Sequence, residues 1–202
     1  GSQKLKNKEI SSHILDTEIL LSRVLKKRRE EVLLNIHKNV SSDQINEFNN
    51  LISRRSLKEP IAYILKEKEF WSKKFEVGTG ILIPRPETEL MVEKIIKLYN
   101  KKSAFILDVG TGSGCILISL LSELKKSSGI GIDISQKALS YALKNSKRHN
   151  LQNRIKFLKI SINMFFNRKF DLIVSNPPYV IRGNLKNLDE GIKNYEPMMA
   201  LD

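Results

Sequence analysis

Apolar positions recur every three or four residues through the first third of the chain, then give way to short unbroken apolar runs. Ile10, Ile14, Leu20, Leu21, Val24 and Leu25 keep helical spacing, with Ser11 and Ser12 where an N-cap belongs. Val32, Leu33 and Ile36 predict a second, short helix. The run Ser41-Ser42-Asp43-Gln44 has the form of a capping box, in which a hydroxyl and a carboxamide satisfy orphan backbone N–H groups reciprocally. Ile45, Phe48, Leu51 and Ile52 follow on one face, and Pro60 marks a boundary before Ile61 to Leu65. Residues 1–66 therefore read as a small helical domain.

The pattern changes over residues 67–84. Phe70, Trp71, Phe75 and Val77 are aromatic or β-branched and flank the polar turn Ser72-Lys73-Lys74, which predicts a β-hairpin linker. Gly78 and Gly80 loosen the chain, and Pro84 and Pro86 stiffen it; Pro86 opens a helix with Glu87 and Glu89 at its positive end. After residue 103 strands and helices alternate. Strands are predicted over Ala104 to Val109, Gly129 to Ile134, Ile155 to Ile160 and Phe170 to Ser175. Between them come a helix over Cys115 to Leu124 and one running from Ser135 to about His149. Apolar strands separated by helices indicate an α/β domain over 85–202, built on a parallel sheet covered on both faces.

Composition narrows the function less than the motifs do. No apolar run approaches the roughly 20 residues of a membrane-spanning helix, and the opening Gly1-Ser2-Gln3-Lys4 reads as a cleavage scar rather than a signal peptide. A cytoplasmic protein with no membrane partner is expected. Cys115 is the single cysteine, read as a small buried side chain, and His13, His37 and His149 lack ligand spacing, so no metal site is expected. A net charge of +13 invites an acidic partner such as nucleic acid. Its lysines and arginines are scattered in pairs, however, which suits solvated helix faces and at most transient nucleic-acid contact through a basic surface.

The cofactor signal is Asp108-Val109-Gly110-Thr111-Gly112-Ser113-Gly114, which leaves a strand and enters a helix. Glycines there admit positive φ and let a ligand approach the backbone, and the following helix presents free N–H groups. Asp133 ends the next strand, where a carboxylate accepts hydrogen bonds from ribose hydroxyls; the alternative is a helix cap shared with Ser135. The glycine spacing departs from G-x-G-x-x-G and no Walker lysine follows, so S-adenosylmethionine is favoured over NAD or ATP.

The most specific signal is Asn176-Pro177-Pro178-Tyr179, directly after the fourth predicted strand. An amide nitrogen is a poor nucleophile because its lone pair is delocalised into the carbonyl. A site helps by accepting both N–H hydrogens, one at the Asn176 side-chain oxygen and one at the Pro177 carbonyl, which turns the lone pair toward an electrophile. Prolines fix the backbone, and Tyr179 offers a flat face for a planar amide or base. The bland alternative is a rigid strand-to-helix loop.

These motifs resemble the class I S-adenosylmethionine methyltransferases that act on exocyclic or amide nitrogens. More closely, Glu69-Phe70-Trp71, the stretch Ile83-Pro84-Arg85-Pro86-Glu87-Thr88-Glu89 and Tyr195-Glu196-Pro197 with Ala200-Leu201 resemble the release factor glutamine methyltransferases. Asp16 to Leu21, Arg54-Arg55 and Glu59 to Tyr63 agree as well, so the likeness runs across nearly the whole chain. The resemblance implies a class I, Rossmann-like catalytic domain preceded by a helical domain that helps hold the release factor. It implies methylation of the glutamine in the factor's Gly-Gly-Gln motif. Carried over, Gly110, Thr111, Gly112, Ser113 and Gly114 surround the methionine part of S-adenosylmethionine and Asp133 holds the ribose. Asn176 and Pro177 to Tyr179 hold the glutamine, Asn176 also touching the cofactor.

Two departures bear on that picture. Where the family commonly has an Asp followed by an aromatic at the adenine end, this chain reads Ser161-Ile162-Asn163-Met164-Phe165; Asn163 and Met164 are the residues expected to meet the adenine. The chain also stops at Asp202, whereas this fold continues through about three more strands, so the catalytic domain is expected to be incomplete and its fourth strand an unpaired apolar edge. A stability or activity below that of a longer version is the corresponding expectation. Two rival readings remain: adenine amine methylation of DNA or RNA, and a non-catalytic cofactor-binding module.

Overall fold

A computed structural model of the 202-residue chain describes residues 1–34, 40–100, 102–165, 168–178 and 188–200. It divides into two compact units: residues 1–65 with Asp189–Tyr195, and residues 66–188 with 196–202. Among the described residues, no helix is long and apolar enough to cross a membrane.

The first unit contains α1 (Ser2–Lys6), α2 (His13–Leu25), α3 (Arg29–Leu34), α4 (Ser42–Ser56), α5 (Ile61–Leu65) and α9 (Glu190–Tyr195). The capping box at Ser41 is complete, with Ser41 Oγ accepting from Gln44 N and Gln44 Oε1 accepting from Ser41 N. Leu5, Ile10, Leu20, Ile52 and Ile64 form the interior. Ser12 occupies the N-cap of α2, but its hydroxyl donates to Asp16 Oδ2 rather than capping the helix. Ile14, expected on the apolar face, is exposed, because it lies about 120° round the helix from the buried Leu20. The expected Ile36 lies outside the described residues. Segment α9 joins this unit through Lys58 Nζ to Glu190 Oε2 at 2.9 Å and the Tyr195 hydroxyl donating to the Leu57 carbonyl at 3.1 Å.

In the second unit, β1 (Glu67–Phe70) pairs antiparallel with β2 (Lys73–Glu76). The turn is Trp71–Ser72, both with positive φ (51° and 52°), and not the expected Ser72-Lys73-Lys74, whose lysines belong to β2. Two residues of positive φ match the twist of a two-residue hairpin, a conformation normally left to Asn and Gly. Tertiary bonds hold it: Trp71 N donates to Glu89 Oε1, and Trp71 Nε1 to Glu123 Oε1. Helix α6 runs from Thr88 to Tyr99, two residues later than Pro86 suggested, after a turn in which Glu89 N donates to the Pro86 carbonyl.

Strands β3 (Phe105–Val109), β4 (Ser128–Asp133), β5 (Ile155–Lys159) and β6 (Leu172–Ser175) form a parallel sheet in the order β5-β4-β3-β6. Helix α7 (Cys115–Glu123) connects β3 to β4, and α8 (Gln136–Arg148) connects β4 to β5. One face carries the main core, where Ile106 and Val174 meet Val92 and Ile95 of α6 and Leu117, Leu120 and Leu121 of α7. Leu107, Ile130 and Ile132 of the other face are covered by Phe165, Phe170 and neighbouring strand residues; among the described residues no helix joins them. Cover by helices on both faces is therefore a sequence expectation that the described residues realise on one face only. Among the described residues, strand β6 is the sheet edge, and its Ile173 is 62% exposed.

The buried ion pair of the helical unit sets a first prediction. Arg55 Nε meets Asp16 Oδ2 at 2.6 Å, and Arg55 Nη1 donates to the Glu59 carbonyl. Removing one partner strands the other charge in a low-dielectric interior. Asp16→Ala is expected to destabilise the helical unit by about 3 kcal/mol, read as an earlier urea transition in helical circular dichroism. An unmoved transition contradicts this account of the pair.

Candidate active site

Strand register brings the motif residues together. Val109 of β3 lies opposite Ile132 of β4 and opposite Ser175 of β6. The residues that follow, Gly110, Asp133 and Asn176, thus leave three adjacent parallel strands at the same level. With strands about 4.8 Å apart, their backbones fall within about 10 Å. The chain runs outward from β3 through β4 to β5 and then returns to the far side of β3 for β6. Loops leaving β3 and β6 therefore diverge, and the crevice between them is where open parallel sheets bind ligands.

Each loop is braced locally. Gly110, Gly112 and Gly114 have φ of 70°, 57° and 79°, the left-handed region that side chains disfavour. At Gly114 a Cβ would also press on Ala142 of α8 at 3.3 Å and Ile118 at 3.0 Å, so the loop packs against two helices with no room to spare. Asp133 Oδ2 accepts from Gly112 N at 2.9 Å and Oδ1 from Ser135 N at 2.8 Å. The cap of α8 is Ser135 itself, whose Oγ accepts from Ala138 N, so Asp133 braces the cap residue and the glycine loop, while each of its carboxylate oxygens keeps further acceptor capacity. Ser175 Oγ donates to the Val109 carbonyl at 2.9 Å, tying the strand end before Asn176 to the strand end before the glycines.

A cavity of about 370 Å³ opens here. Its walls include Gly110, Thr111, Gly112, Ser113, Asp133, Asn176, Pro177 and Pro178 from the sequence reading. Gly114 is not on the wall; it is the N-cap of α7. Asn163 and Met164 do not line the cavity: they sit in a short exposed 3-10 turn, and the nearby wall is Ile160, Ser161 and Ile162, with Ile134 also lining the cavity. Tyr179 lies outside the described residues.

Other wall residues were not singled out as site residues by sequence. Gly80, Ile81, Leu82, Pro84, Arg85 and Thr88 arrive from the segment after the hairpin, and Pro197, Met199 and Ala200 from the end of the described chain. Among the described residues, Arg85 and Asp133 are the charged side chains on the wall. Arg85 Nη2 meets Glu196 Oε1 at 2.7 Å, and Glu196 Oε2 accepts from Ile83 N. The signal was present in the stretches around Arg85 and Glu196, but spacing alone does not announce a pairing across more than a hundred residues.

Two buried groups beside the glycine loop differ in chemistry. Burial pushes the Cys115 thiol up to about 12, so it stays neutral at physiological pH and acts as wall. Asp108, fully enclosed, is pushed up to about 7 by burial, against the Thr111 hydroxyl, which donates to Oδ2 at 2.7 Å and holds it down.

With this geometry in place, the comparisons decide the family. The pattern of the PrmC N-terminal domain matches residues 1–65, and a methyltransferase domain matches residues 100–199. A release factor glutamine methyltransferase of Buchnera aphidicola subsp. Schizaphis graminum is 45% identical over 186 residues, covering 92% of this chain and 67% of that protein. One from Buchnera aphidicola subsp. Baizongia pistaciae is 44% identical over 202 residues, covering all of this chain and 72% of its own length. The chain belongs to the release factor glutamine methyltransferase family.

Among solved structures, the catalytic domain of hMettl16 in complex with an RNA hairpin superposes with a TM-score of 0.50 at 22% identity, over 69% of this chain and 49% of that one. That likeness shows the class I methyltransferase fold alone. Family membership makes this chain a methyltransferase with S-adenosylmethionine as cofactor. The cavity fits such a group: an acidic side chain with spare acceptors stands at the end of β4, beside glycines without Cβ atoms and a mostly apolar wall.

Asp108 gives a pH prediction. Its folded value lies above that of an unfolded aspartate, so between about pH 4 and 7 the folded state holds a proton that the unfolded chain releases. Stability from this group is full below that window and is lost as pH rises through about 7, at up to about 1.4 kcal/mol per pH unit. Asp108→Asn is expected to flatten the fall in denaturation midpoint between pH 5 and 7.5; an equal fall in wild type and variant contradicts the assignment.

Proposed function

We propose that this chain methylates the side-chain amide nitrogen of the glutamine in the Gly-Gly-Gln motif of peptide chain release factors. The observation that carries the reading is the common level of Gly110, Asp133 and Asn176 at one cavity, in a chain of this family. S-adenosylmethionine, when bound, supplies an electrophilic methyl group on a sulfonium. Gly110 to Gly114 hold its amino-acid end and Asp133 its ribose hydroxyls. Ile160, Ser161 and Ile162 wall the adenine end, with Asn163 and Met164 in the exposed turn that follows.

Asn176 and Pro177 hold the substrate. The Asn176 side-chain oxygen accepts one N–H of the glutamine amide and the Pro177 carbonyl accepts the other, which leaves the nitrogen lone pair facing away from both acceptors. Pro178 stiffens the loop, and Tyr179 is the residue that the sequence assigns as the flat face for the amide. Positioning in a mostly apolar cavity supplies the rate, and the proton lost from the methylated nitrogen passes to solvent with no obligatory acid–base pair. The helical unit, residues 1–66 in the sequence reading, recognises the body of the release factor, and the hairpin over 67–84 links it to the catalytic domain. Catalysis takes place in the cytoplasm, where any contact of the basic surface with nucleic acid is transient.

The test is transfer of label from S-adenosylmethionine to a release factor, beside a factor whose Gly-Gly-Gln glutamine is replaced. Label is expected in the first and absent from the second. Asn176→Ala is expected to lower the rate by about 100-fold or more, the loss typical of removing one preorganised hydrogen-bonding group. Label appearing in RNA or DNA and not in the factor would overturn the proposal in favour of adenine amine methylation.

A further inference from the structure

Asn145 lies on α8, outside the cavity wall, yet it is 0% exposed and fully engaged. Its Oδ1 accepts from Glu76 N at 2.7 Å, and its Nδ2 donates to the Glu76 carbonyl at 3.1 Å and to the Ser113 carbonyl at 2.9 Å. One carboxamide thereby grips the end of β2 and the glycine loop together. No other residue type of this size offers an acceptor and two donors in one plane. A buried amide that loses any of these partners strands a polar group, so the arrangement is held as a whole.

The same helix face supports both segments again, one turn away. Tyr141 lies against Gly78, where a Cβ would collide with its hydroxyl, and Ala142 lies against Gly114. The segment leaving β2 goes on to supply Gly80, Ile81 and Leu82 to the cavity wall, and the glycine loop supplies Gly110 to Ser113. Two walls of the cavity that are far apart in sequence thus take their spacing from α8.

We propose that Asn145 is a positioning residue for cofactor binding, setting the glycine loop against the segment that follows the hairpin. The proposal rests on the reading that the amino-acid end of S-adenosylmethionine lies at the glycine loop. It acts on that end and leaves the nucleoside end, at Asp133 and Ile134, untouched.

Calorimetry on the full chain with two ligands tests this. S-adenosylhomocysteine carries the amino-acid end, and 5′-methylthioadenosine lacks it. Asn145→Ala is expected to weaken S-adenosylhomocysteine about tenfold, the scale of a displaced binding group, and to leave methylthioadenosine within about twofold. Asn145→Asp keeps the acceptor for Glu76 N but faces two carbonyls with a carboxylate, and is expected to lose at least as much. Leu139→Ala, a buried change on the same helix, controls for plain destabilisation and should leave the ratio of the two affinities at its wild-type value. Equal weakening of both ligands in the Asn145 variants, or no weakening of either, overturns the positioning role. An Asp133→Ala variant whose affinities for both ligands equal those of the wild type would instead overturn the reading of the cavity beneath it.

Discussion

Hydrogen-bond register in the parallel sheet is the constraint on which the site depends. Parallel pairing cannot slip by one residue without turning every side chain to the opposite face. Here Ile106 points into the main core while Leu107 points to the other cluster, so slippage would bury neither correctly. The burial of these leucines and isoleucines therefore fixes where β3, β4 and β6 end. Because all three end level, a glycine, an aspartate and an asparagine from three separate motifs emerge side by side. Apolar packing far from the cavity sets the geometry of the chemistry.

From those strand ends outward, the loops depend on helix α8 and on a few buried polar groups. Asp133 ties the glycine loop to the start of α8 through Gly112 N and Ser135 N. Asn145, almost three turns further along the same helix, ties the loop again at Ser113 and adds the end of the hairpin. Loops alone are the least rigid parts of a fold, and a site needs support that holds its members within a fraction of an ångström. A helix packed on the sheet supplies that rigidity, and its polar residues transmit it to the loops. The pair of Arg85 and Glu196 does the same for the segment after the hairpin, joining it to the end of the described chain.

Charge has a different role in each place. The chain carries +13, yet many of its cations are committed locally: Arg29 to Glu18, Arg54 to Glu59, Arg55 to Asp16, Arg148 to Glu67. The better buried pairs fix neighbouring segments, whereas exposed pairs such as Arg28 with Glu31 contribute little. Arg154 is instead spent on backbone, donating to the carbonyls of Leu121, Leu124 and Ser127 at the end of α7. A high positive total is thus compatible with a methyltransferase whose cavity wall, among the described residues, bears one cation and one anion.

The sequence by itself determined the strands of the parallel sheet and the longer helices. Apolar runs in the strands, helical spacing in α2 and the capping box at Ser41 are local properties, set by burial demand and by the few residues that satisfy a helix end. The glycines and Asp133 were legible for the same reason, since each answers a need of its own loop, and the resemblance added the order of the motifs. Tertiary structure decided what local chemistry leaves open. The hairpin turns at Trp71–Ser72 because Glu89 and Glu123 hold a left-handed conformation that sequence propensity disfavours. Asn163 and Met164 stand outside the cavity wall because the chain after β5 tightens into a 3-10 turn that presents Ile162 instead. Asn145 and the pairing of Arg85 with Glu196 gave no signal of their own, because each acts on partners 32 to 111 residues away and only the folded backbone brings those together.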